Sequence, residues 1–322
     1  MVKSTLKKLL NVLMLLIAVL VLNFALIHAA PGDPVEALVG EMGGATPELI
    51  AEMREKFGLD QPLYVQVATY LSRVAQGDLG YSLYYDQPVS ALILARLGPT
   101  LLLVTTALFG AILIGTVLGV YSAQRRTSLL SHFVTVISLA GFSAPVFWVG
   151  IMLILLLSVS FPLLPISGMS SADATDGGVA HMLDVAHHLV LPALTLGLIY
   201  LAFYSRLSRA SMLEVLGSDY IRTARAKGLP KRSVIYKHAL RNAVLPVVTF
   251  AGLQFGQVIS GAVLVETVFA WPGLGTLAYD SILRRDTPTL MGILFFSALM
   301  VVMMNLVTDI LYRLIDPRMK VQ

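Results

Sequence analysis

Long apolar runs divide this chain, and they constrain its fold more than any other feature. The first, residues 9–27, has no charged residue and is long enough to cross the hydrocarbon core of a bilayer as a helix. Five further runs lie near residues 100–120, 132–159, 186–204, 243–265 and 290–310. Backbone polar groups inside a bilayer must be paired within the protein, so runs of this length predict helices. We therefore predict an all-α integral membrane protein with six transmembrane helices.

The distribution of positive charge predicts how these helices are oriented. Of the 23 Lys and Arg residues, 17 fall in segments that six helices would leave on one side, including both chain ends. Such an excess is typical of cytoplasmic segments, so we expect both termini in the cytoplasm. The first run exceeds the roughly 7–15 apolar residues of a signal peptide, and we expect it to be retained as a span.

Composition excludes several classes of function. The chain is 57% hydrophobic and 13% charged, and it contains no cysteine, which rules out disulfides and cysteine-based metal sites. Its six His residues are scattered without the spacing of metal ligands. The net charge of +4 is concentrated in short loops without a repeated pattern of interleaved aromatic residues, so nucleic acid is not an expected partner.

The apolar runs also carry few groups that could drive transport or catalysis. Glu266 and Asp309 lie only near run ends, and a proton- or ion-coupled carrier needs titratable groups at depth. The sequence has no phosphate-binding G-x-x-x-x-G-K-[ST] loop, no nucleophile elbow and no zincin motif. These absences indicate a non-catalytic, pore-forming subunit powered by another polypeptide. A passive channel or a membrane scaffold is the alternative from a different class.

Residues 206–242, which we call the basic elbow, form a polar and strongly basic interruption between the fourth and fifth runs. This segment contains nine Lys and Arg residues against two acidic ones. Ser218 or Asp219 can cap a short helix, Gly228 suits the left-handed position after it, and Pro230 suits the start of the next. The pattern predicts two short helices meeting at an angle on a membrane surface.

The basic elbow resembles a known family. RTARAKG (residues 222–228), within YIRTARAKGL, resembles the EAA-xxx-G loop of binding-protein-dependent ABC importer permeases, and HALRNAVLP is similar to the dipeptide/oligopeptide/nickel branch. Arg222 and Thr223 replace the Glu and Ala of the general pattern, and Leu240 and Arg241 replace its Leu-Pro. Both departures are usual in the peptide branch. PGDP, FGLDQPLYVQ, GDLGYSL and residues 265–288 also resemble family signatures.

The resemblance implies the architecture and the partners. It implies a type I ABC importer permease, a multi-pass protein of the bacterial inner membrane that translocates di- or oligopeptides. Its partners would be a homologous second permease, two cytoplasmic ATPase subunits and an extracytoplasmic substrate-binding protein. ATP and Mg²⁺ would be bound by the ATPase subunits, and this chain would bind no cofactor. A nickel (chelate), oligopeptide or glutathione permease of the same family is the alternative.

The resemblance also implies which residues transmit motion from the ATPase. The residues implied to couple to the ATPase subunit are Asp219, Tyr220, Arg222, Thr223, Ala224, Arg225, Ala226, Lys227 and Gly228. Ala224 lies four residues before Gly228, and we expect both to lie on one face of the helix, directed at the ATPase.

Residues that typically start or end helices predict further local structure along the chain. We expect a cytoplasmic tail and first helix in residues 1–27, an extracytoplasmic helical cap in 28–96 and a permease core in 97–322. Within the cap, we expect helices to open at Thr46, Pro62 and Pro88.

Small residues and prolines mark expected contacts within the core. The pairs Gly115/Gly119 and Gly252/Gly256 predict close approach of neighbouring helices. GFSAP at residues 141–145 predicts a kinked third helix. Trp271 is expected at the membrane interface, beside a re-entrant turn.

Overall fold

The structure is a computed structural model that describes residues 2–29, 60–125, 144–171 and 177–315, with a few positions between these ranges. Most of the expected helix from Thr46 to Gly58 and most of the expected kink at 141–145 lie outside the described residues. Within the described ranges nearly all of the chain is helical, as the apolar runs predict.

Eleven α-helices follow one another in the described residues, with one small hairpin before the third. The helices are α1 (Val2–Ala29), α2 (Leu63–Ala75), α3 (Val89–Gln124), α4 (Val146–Ile154), α5 (Gly178–Leu216), α6 (Asp219–Ala226), α7 (Lys231–Ser233), α8 (Leu240–Ala243), α9 (Leu245–Val268), α10 (Leu274–Leu283) and α11 (Thr287–Ile315). One π-helical turn, Leu155–Ser160, follows α4, and another, Val234–Ala239, joins α7 to α8. The hairpin pairs β1 (Tyr81–Ser82) with β2 (Gln87–Pro88) in antiparallel register.

Three of the described helices are long and apolar enough to cross a membrane. They comprise Val89–Gln124, Gly178–Leu216 and Thr287–Thr308, and shorter apolar helices occupy Leu10–Leu26 and Val146–Ser160. At about 1.5 Å per residue, the 39 residues of α5 extend about 58 Å, against a hydrocarbon core of about 30 Å. Helix α5 therefore continues well beyond the predicted fourth run and forms the first part of the basic elbow.

Helix α3 also differs from the expected boundaries. A separate cap helix was expected to open at Pro88 and a transmembrane run at residue 100, whereas one helix of 36 residues covers both. Pro99 lies inside this helix. A proline removes one helix hydrogen bond, but the apolar turns on both sides remain packed and the helix continues.

The described chain groups into two compact units. The first consists of Met1–Gly98 and Gly273–Met303, and the second of Pro99–Pro272 and Met304–Gln322. The domain boundaries expected at residues 27 and 96 stay predictions. In the first unit, Val89, Leu92 and Ile93 of α3 pack against apolar side chains of α10 and α11.

A buried carboxylate organises the start of α11 in the first unit. Ser82 Oγ donates a hydrogen bond to Asp286 Oδ2 at 2.5 Å, and Thr289 Oγ1 donates to the same oxygen at 2.7 Å. The Thr289 amide approaches Asp286 Oδ1 at 3.4 Å. Asp286 thus caps α11 and ties it to the hairpin.

In the second unit, α3 and α5 cross at the predicted glycine pair. A Cβ on Gly119 would lie 2.5 Å from the Ser205 carbonyl oxygen and 2.7 Å from Ser208 Cβ. A Cβ on Gly115 would lie 3.0 Å from Tyr204 Cβ. The close approach predicted for Gly115 and Gly119 is confirmed. Gly252 similarly faces the side chain of Thr308, and the surroundings of Gly256 lie outside the described residues.

The end of α9 is fixed by buried polar contacts within the second unit. Thr100 Oγ1 donates a hydrogen bond to Glu266 at 2.7 Å, and the Trp271 Nε1 donates to the Pro99 carbonyl at 2.9 Å. Glu266 and Trp271 are both fully buried. Trp271 is therefore packed inside the protein with a protein acceptor for its indole N–H, and its expected position at the membrane interface stays a prediction.

Candidate functional site

Helix α6 stands at the centre of the basic elbow on an apolar base. Ile221 is fully buried and Ala224 is nearly so. They pack in one cluster with Val120 and Ala123 at the end of α3, Met212 near the end of α5, and Val234, Ile235, Ala239 and Ala243 beyond α6. Burial of an Ile side chain contributes about 1.5–3 kcal/mol. The base therefore fixes α6 against the ends of two long helices.

The turn after α6 has the predicted left-handed residue. Gly228 has φ of +74°, its N–H donates to the Arg225 carbonyl at 2.9 Å, and the Leu229 N–H reaches the Ala224 carbonyl at 3.4 Å. This pair of hydrogen bonds is the Schellman arrangement that satisfies the last carbonyls of a helix. Pro230 then precedes α7, so the predicted stop and restart are both confirmed.

The start of α6 differs from the expectation of a side-chain cap. Ser218 precedes the helix, but its Oγ donates to the Val215 carbonyl at 2.6 Å instead of accepting from an amide of α6. The last carbonyls of α5 lack helical partners, and this hydroxyl satisfies one of them. Asp219 lies 3.4 Å from Arg222, and both side chains are largely exposed. Such an ion pair contributes little to stability.

Most of the residues implied to couple lie on the open side of the elbow. Eight of the nine are exposed: Asp219, Tyr220, Arg222, Thr223, Arg225, Ala226, Lys227 and Gly228. The ninth, Ala224, points into the base, so the expectation that Ala224 and Gly228 present one face to a partner was wrong in geometry. A small side chain is needed at Ala224 because α6 lies close against its base.

Two residues that support α6 were not predicted. Ile221 anchors its inner face, and Asn242 Nδ2 donates a hydrogen bond to Tyr220 Oη at 2.8 Å, tying the end of α8 to the start of α6. Ile221 could have been found, because it and Ala224 are three residues apart in an otherwise polar helix. No local sequence signal identifies Asn242, since its partner lies 22 residues away.

The arrangement is mechanical in character. Among the described residues, no group of three or more His, Asp or Glu side chains is placed to hold a metal ion. The exposed side of α6 carries Arg222, Arg225 and Lys227 beside a single carboxylate, Asp219. A partner that binds this side would be connected through Ile221 to the ends of α3 and α5. Movement of α6 would therefore be transmitted to the long helices.

Comparison with known families covers nearly the whole chain. Residues 115–321 match the family described as "Binding-protein-dependent transport system inner membrane component". Residues 1–104 match the corresponding N-terminal family, "Binding-prot-dependent transport system membrane comp, N-term".

Individual relatives align along nearly their full length. The chain is 42% identical to the dipeptide transport system permease protein DppB of Escherichia coli (strain K12), over 99% of both proteins. It is 44% identical to the di/tripeptide transport system permease protein DppB of Pseudomonas aeruginosa (strain UCBPP-PA14), over 94% of both. It is 42% identical to the oligopeptide transport system permease protein AppB of Bacillus subtilis (strain 168), over 95% of both.

A solved structure has the same fold at low sequence identity. It is described as inward-facing conformations of the MetNI methionine ABC transporter. The TM-score is 0.54 at 18% identity, and the alignment covers 70% of this chain and 97% of the other. Together with the two family matches, which confirm the resemblance found in the elbow motif, this leads to one conclusion: the chain belongs to the family of binding-protein-dependent transport system inner membrane components.

Proposed function

We propose that this chain is a transmembrane permease subunit of an ATP-driven importer for di- or oligopeptides. A substrate-binding protein outside the membrane delivers the peptide, and a second, homologous permease completes the pathway. Two cytoplasmic ATPase subunits bind ATP and Mg²⁺ and supply the energy. The permease itself has no catalytic role and lies in the inner membrane of a bacterium.

The observation that carries the proposal is the construction of α6. Eight of the residues implied to couple are exposed on or beside this helix, while Ile221 and Ala224 fix its other side to the ends of α3 and α5. An exposed helix on a rigid base transmits the movement of a docked partner to the helices behind it. A passive channel would have no need for such a device.

The proposed topology has six spans with both termini in the cytoplasm. The long apolar helices, the shorter ones and α9 supply the spans, and the concentration of Lys and Arg supports the orientation. In this orientation α6 lies on the cytoplasmic side, where ATP is available. The hairpin and α2 then lie outside, where a substrate-binding protein is found.

The proposed substrate class rests on the relatives. Three permeases at 42–44% identity along nearly their whole length carry dipeptide, di/tripeptide or oligopeptide names. We therefore propose that this chain transports peptides. Nickel chelates and glutathione are the alternative substrates that the experiment below distinguishes from peptides.

The test is reconstitution of the permease pair with its ATPases in lipid vesicles. Labelled dipeptide should accumulate only with ATP and the loaded binding protein, and the loaded binding protein should stimulate ATP hydrolysis. Ala226→Trp, on the exposed side of α6, should abolish this stimulation. Leu129→Trp, also exposed and within a predicted cytoplasmic loop, is the matched control and should behave as wild type.

Several outcomes would contradict the proposal. Peptide flux that proceeds without ATP would indicate a channel. Uptake of a nickel chelate or of glutathione, with no competition by dipeptides, would change the substrate. Equal stimulation in Ala226→Trp and wild type would remove α6 from the coupling surface.

A further inference from the structure

A cavity of about 560 Å³ opens in the basic elbow, and neither Tyr220 nor Thr223 lines it. It is lined by the ends of α3 and α5, by α6, and by the turn that leads into α7. Its volume lies within the range of about 300–1,000 Å³ that is typical of ligand pockets. All of its walls belong to the second compact unit.

The polar part of this cavity is cationic. Arg225 of α6 and Lys231 of α7 both line it, with Gln124 at the end of α3, and the lining includes no carboxylate. Within the described part of the chain neither cation takes part in an ion pair. Two cations that line one pocket raise the local concentration of anions. The carbonyls at the ends of α3 and α5 add partial negative charges of roughly half an electron each, so the two full positive charges still dominate and the pocket favours an anionic ligand.

The other part of the cavity is apolar and lies where two long helices end. Ala123 is buried, Leu216 is half-buried and Leu229 is exposed, and all three line the cavity. Helices α3 and α5 both reach their last residues here, so their apolar segments lead directly to the pocket. A free phosphate or nucleotide would leave this apolar wall in water. A ligand with an anionic group and an attached hydrocarbon would cover it.

We propose that this cavity binds an anionic phospholipid of the cytoplasmic leaflet. The phosphate of the headgroup contacts Arg225 and Lys231, and the first carbons of an acyl chain lie on Leu216 and Leu229. Basic pockets beside transmembrane helices on the cytoplasmic side are suited to such headgroups. The site rests on the proposed function only in placing the elbow at the cytoplasmic surface. Because Arg225 lies on α6, a bound lipid would contact the coupling helix directly.

The test compares two neighbouring exposed cations, one that lines the cavity and one that does not. Lys231 lines it, whereas the adjacent and equally exposed Arg232 does not. The complex is placed in nanodiscs of phosphatidylcholine, and phosphatidylglycerol is added as the probe. Retained phosphatidylglycerol is counted by native mass spectrometry. Lys231→Gln should weaken retention about fivefold, the effect of about one basic residue near an anionic lipid. Arg232→Gln should retain as much as wild type.

Further measurements distinguish a lipid headgroup from other anions that could occupy the cavity. Inorganic phosphate at the same concentration should not displace the lipid, and displacement would show a simple anion pocket. Equal retention in Lys231→Gln and wild type would overturn the proposal. Loss of ATPase subunits from Lys231→Gln, with retention unchanged, would instead assign the cavity to an acidic segment of the ATPase. Peptide-stimulated ATP hydrolysis by wild type, measured in phosphatidylcholine alone, tests the proposed function separately.

Discussion

Gly228 combines a left-handed backbone with empty surroundings. Its φ is +74°, and a Cβ at this position would meet no heavy atom within 4 Å. Any cost of substitution is therefore one of backbone conformation, roughly 1–2 kcal/mol for an ordinary L-residue and less for Asn. The turn that ends α6 depends on this conformation.

Because only backbone conformation opposes a side chain at position 228, substitutions there test the turn. Gly228→Val should tilt α6 and greatly reduce the stimulation of ATP hydrolysis by loaded binding protein, at near-normal membrane abundance. Gly228→Asn should keep most of the stimulation, because Asn adopts the left-handed region more readily. Measured stimulation, normalised to abundance by immunoblot, decides. Full activity of Gly228→Val would show that the turn geometry is not needed for coupling.

The two alanines of α6 predict opposite responses to the same substitution. Ala224 is buried in the base and Ala226 is exposed. Ala224→Leu should overpack the base and destabilise the protein by about 1–3 kcal/mol, whereas Ala226→Leu should leave stability nearly unchanged. Melting temperatures of the two purified variants provide the comparison. Equal melting temperatures would contradict the placement of Ala224 in the base.

At the residue scale, backbone conformation was easier to predict from the sequence than the face of a helix on which a side chain lies. Gly228 was predicted from the residue type alone, because few residues other than glycine end a helix in this way. The direction of Ala224 was predicted wrongly, because the prediction used its spacing to Gly228 and not the apolar Ile221 three residues before it, which marks the buried face. The cluster that buries Ala224 includes Val120, which is distant in sequence.

At the element scale, the crossing of α3 and α5 depends on the absence of a side chain at Gly119. A Cβ there would lie 2.5 Å from the Ser205 carbonyl oxygen, so a larger residue must push the helices apart. Gly119→Val should lower the melting temperature and the yield of folded permease. Gly110→Val, on the same helix, meets no heavy atom within 4 Å and should be tolerated. Equal loss in both variants would mean that valine propensity, and not the crossing, is responsible.

The sequence predicted that these elements are helices, but it did not predict where the helices end. Apolar runs identify helices that cross a membrane, yet α5 continues beyond residue 204 to Leu216 because nothing in the polar sequence stops it. An apolar run predicts which part of a helix lies within the bilayer, and it does not predict where the helix itself ends. Gly217 and Ser218 provide the actual stop.

At the scale of the whole molecule, the proposed topology can be tested by labelling, because the chain has no cysteine. Single cysteines at Ser171 and Leu283 should react with an impermeant thiol reagent added outside, and those at Leu129 and Arg232 should not. All four positions are exposed. Labelling of Arg232→Cys in intact cells would contradict the proposed topology and indicate the opposite orientation.

Long-range polar contacts are what the sequence could not reveal about the molecule as a whole. Glu266 was read only as a group near a span end, and Trp271 as an interfacial residue. Both are buried, with Thr100 and Pro99 as their hydrogen-bond partners more than 160 residues away in sequence. Such pairs form only once α3 and α9 are assembled, so no local pattern records them.

The π-helical turn between α7 and α8 has a consequence for how the length of this segment can vary. A π turn holds one more residue than an α turn, so Val234–Ala239 is equivalent to an α-helix with one residue inserted. Removing one exposed residue from it, such as Tyr236, would restore an ordinary helix and keep Asn242 aligned with Tyr220. A deletion inside α6 would instead rotate every following side chain by about 100°. The elbow therefore has one place where it can lose a residue and keep its shape.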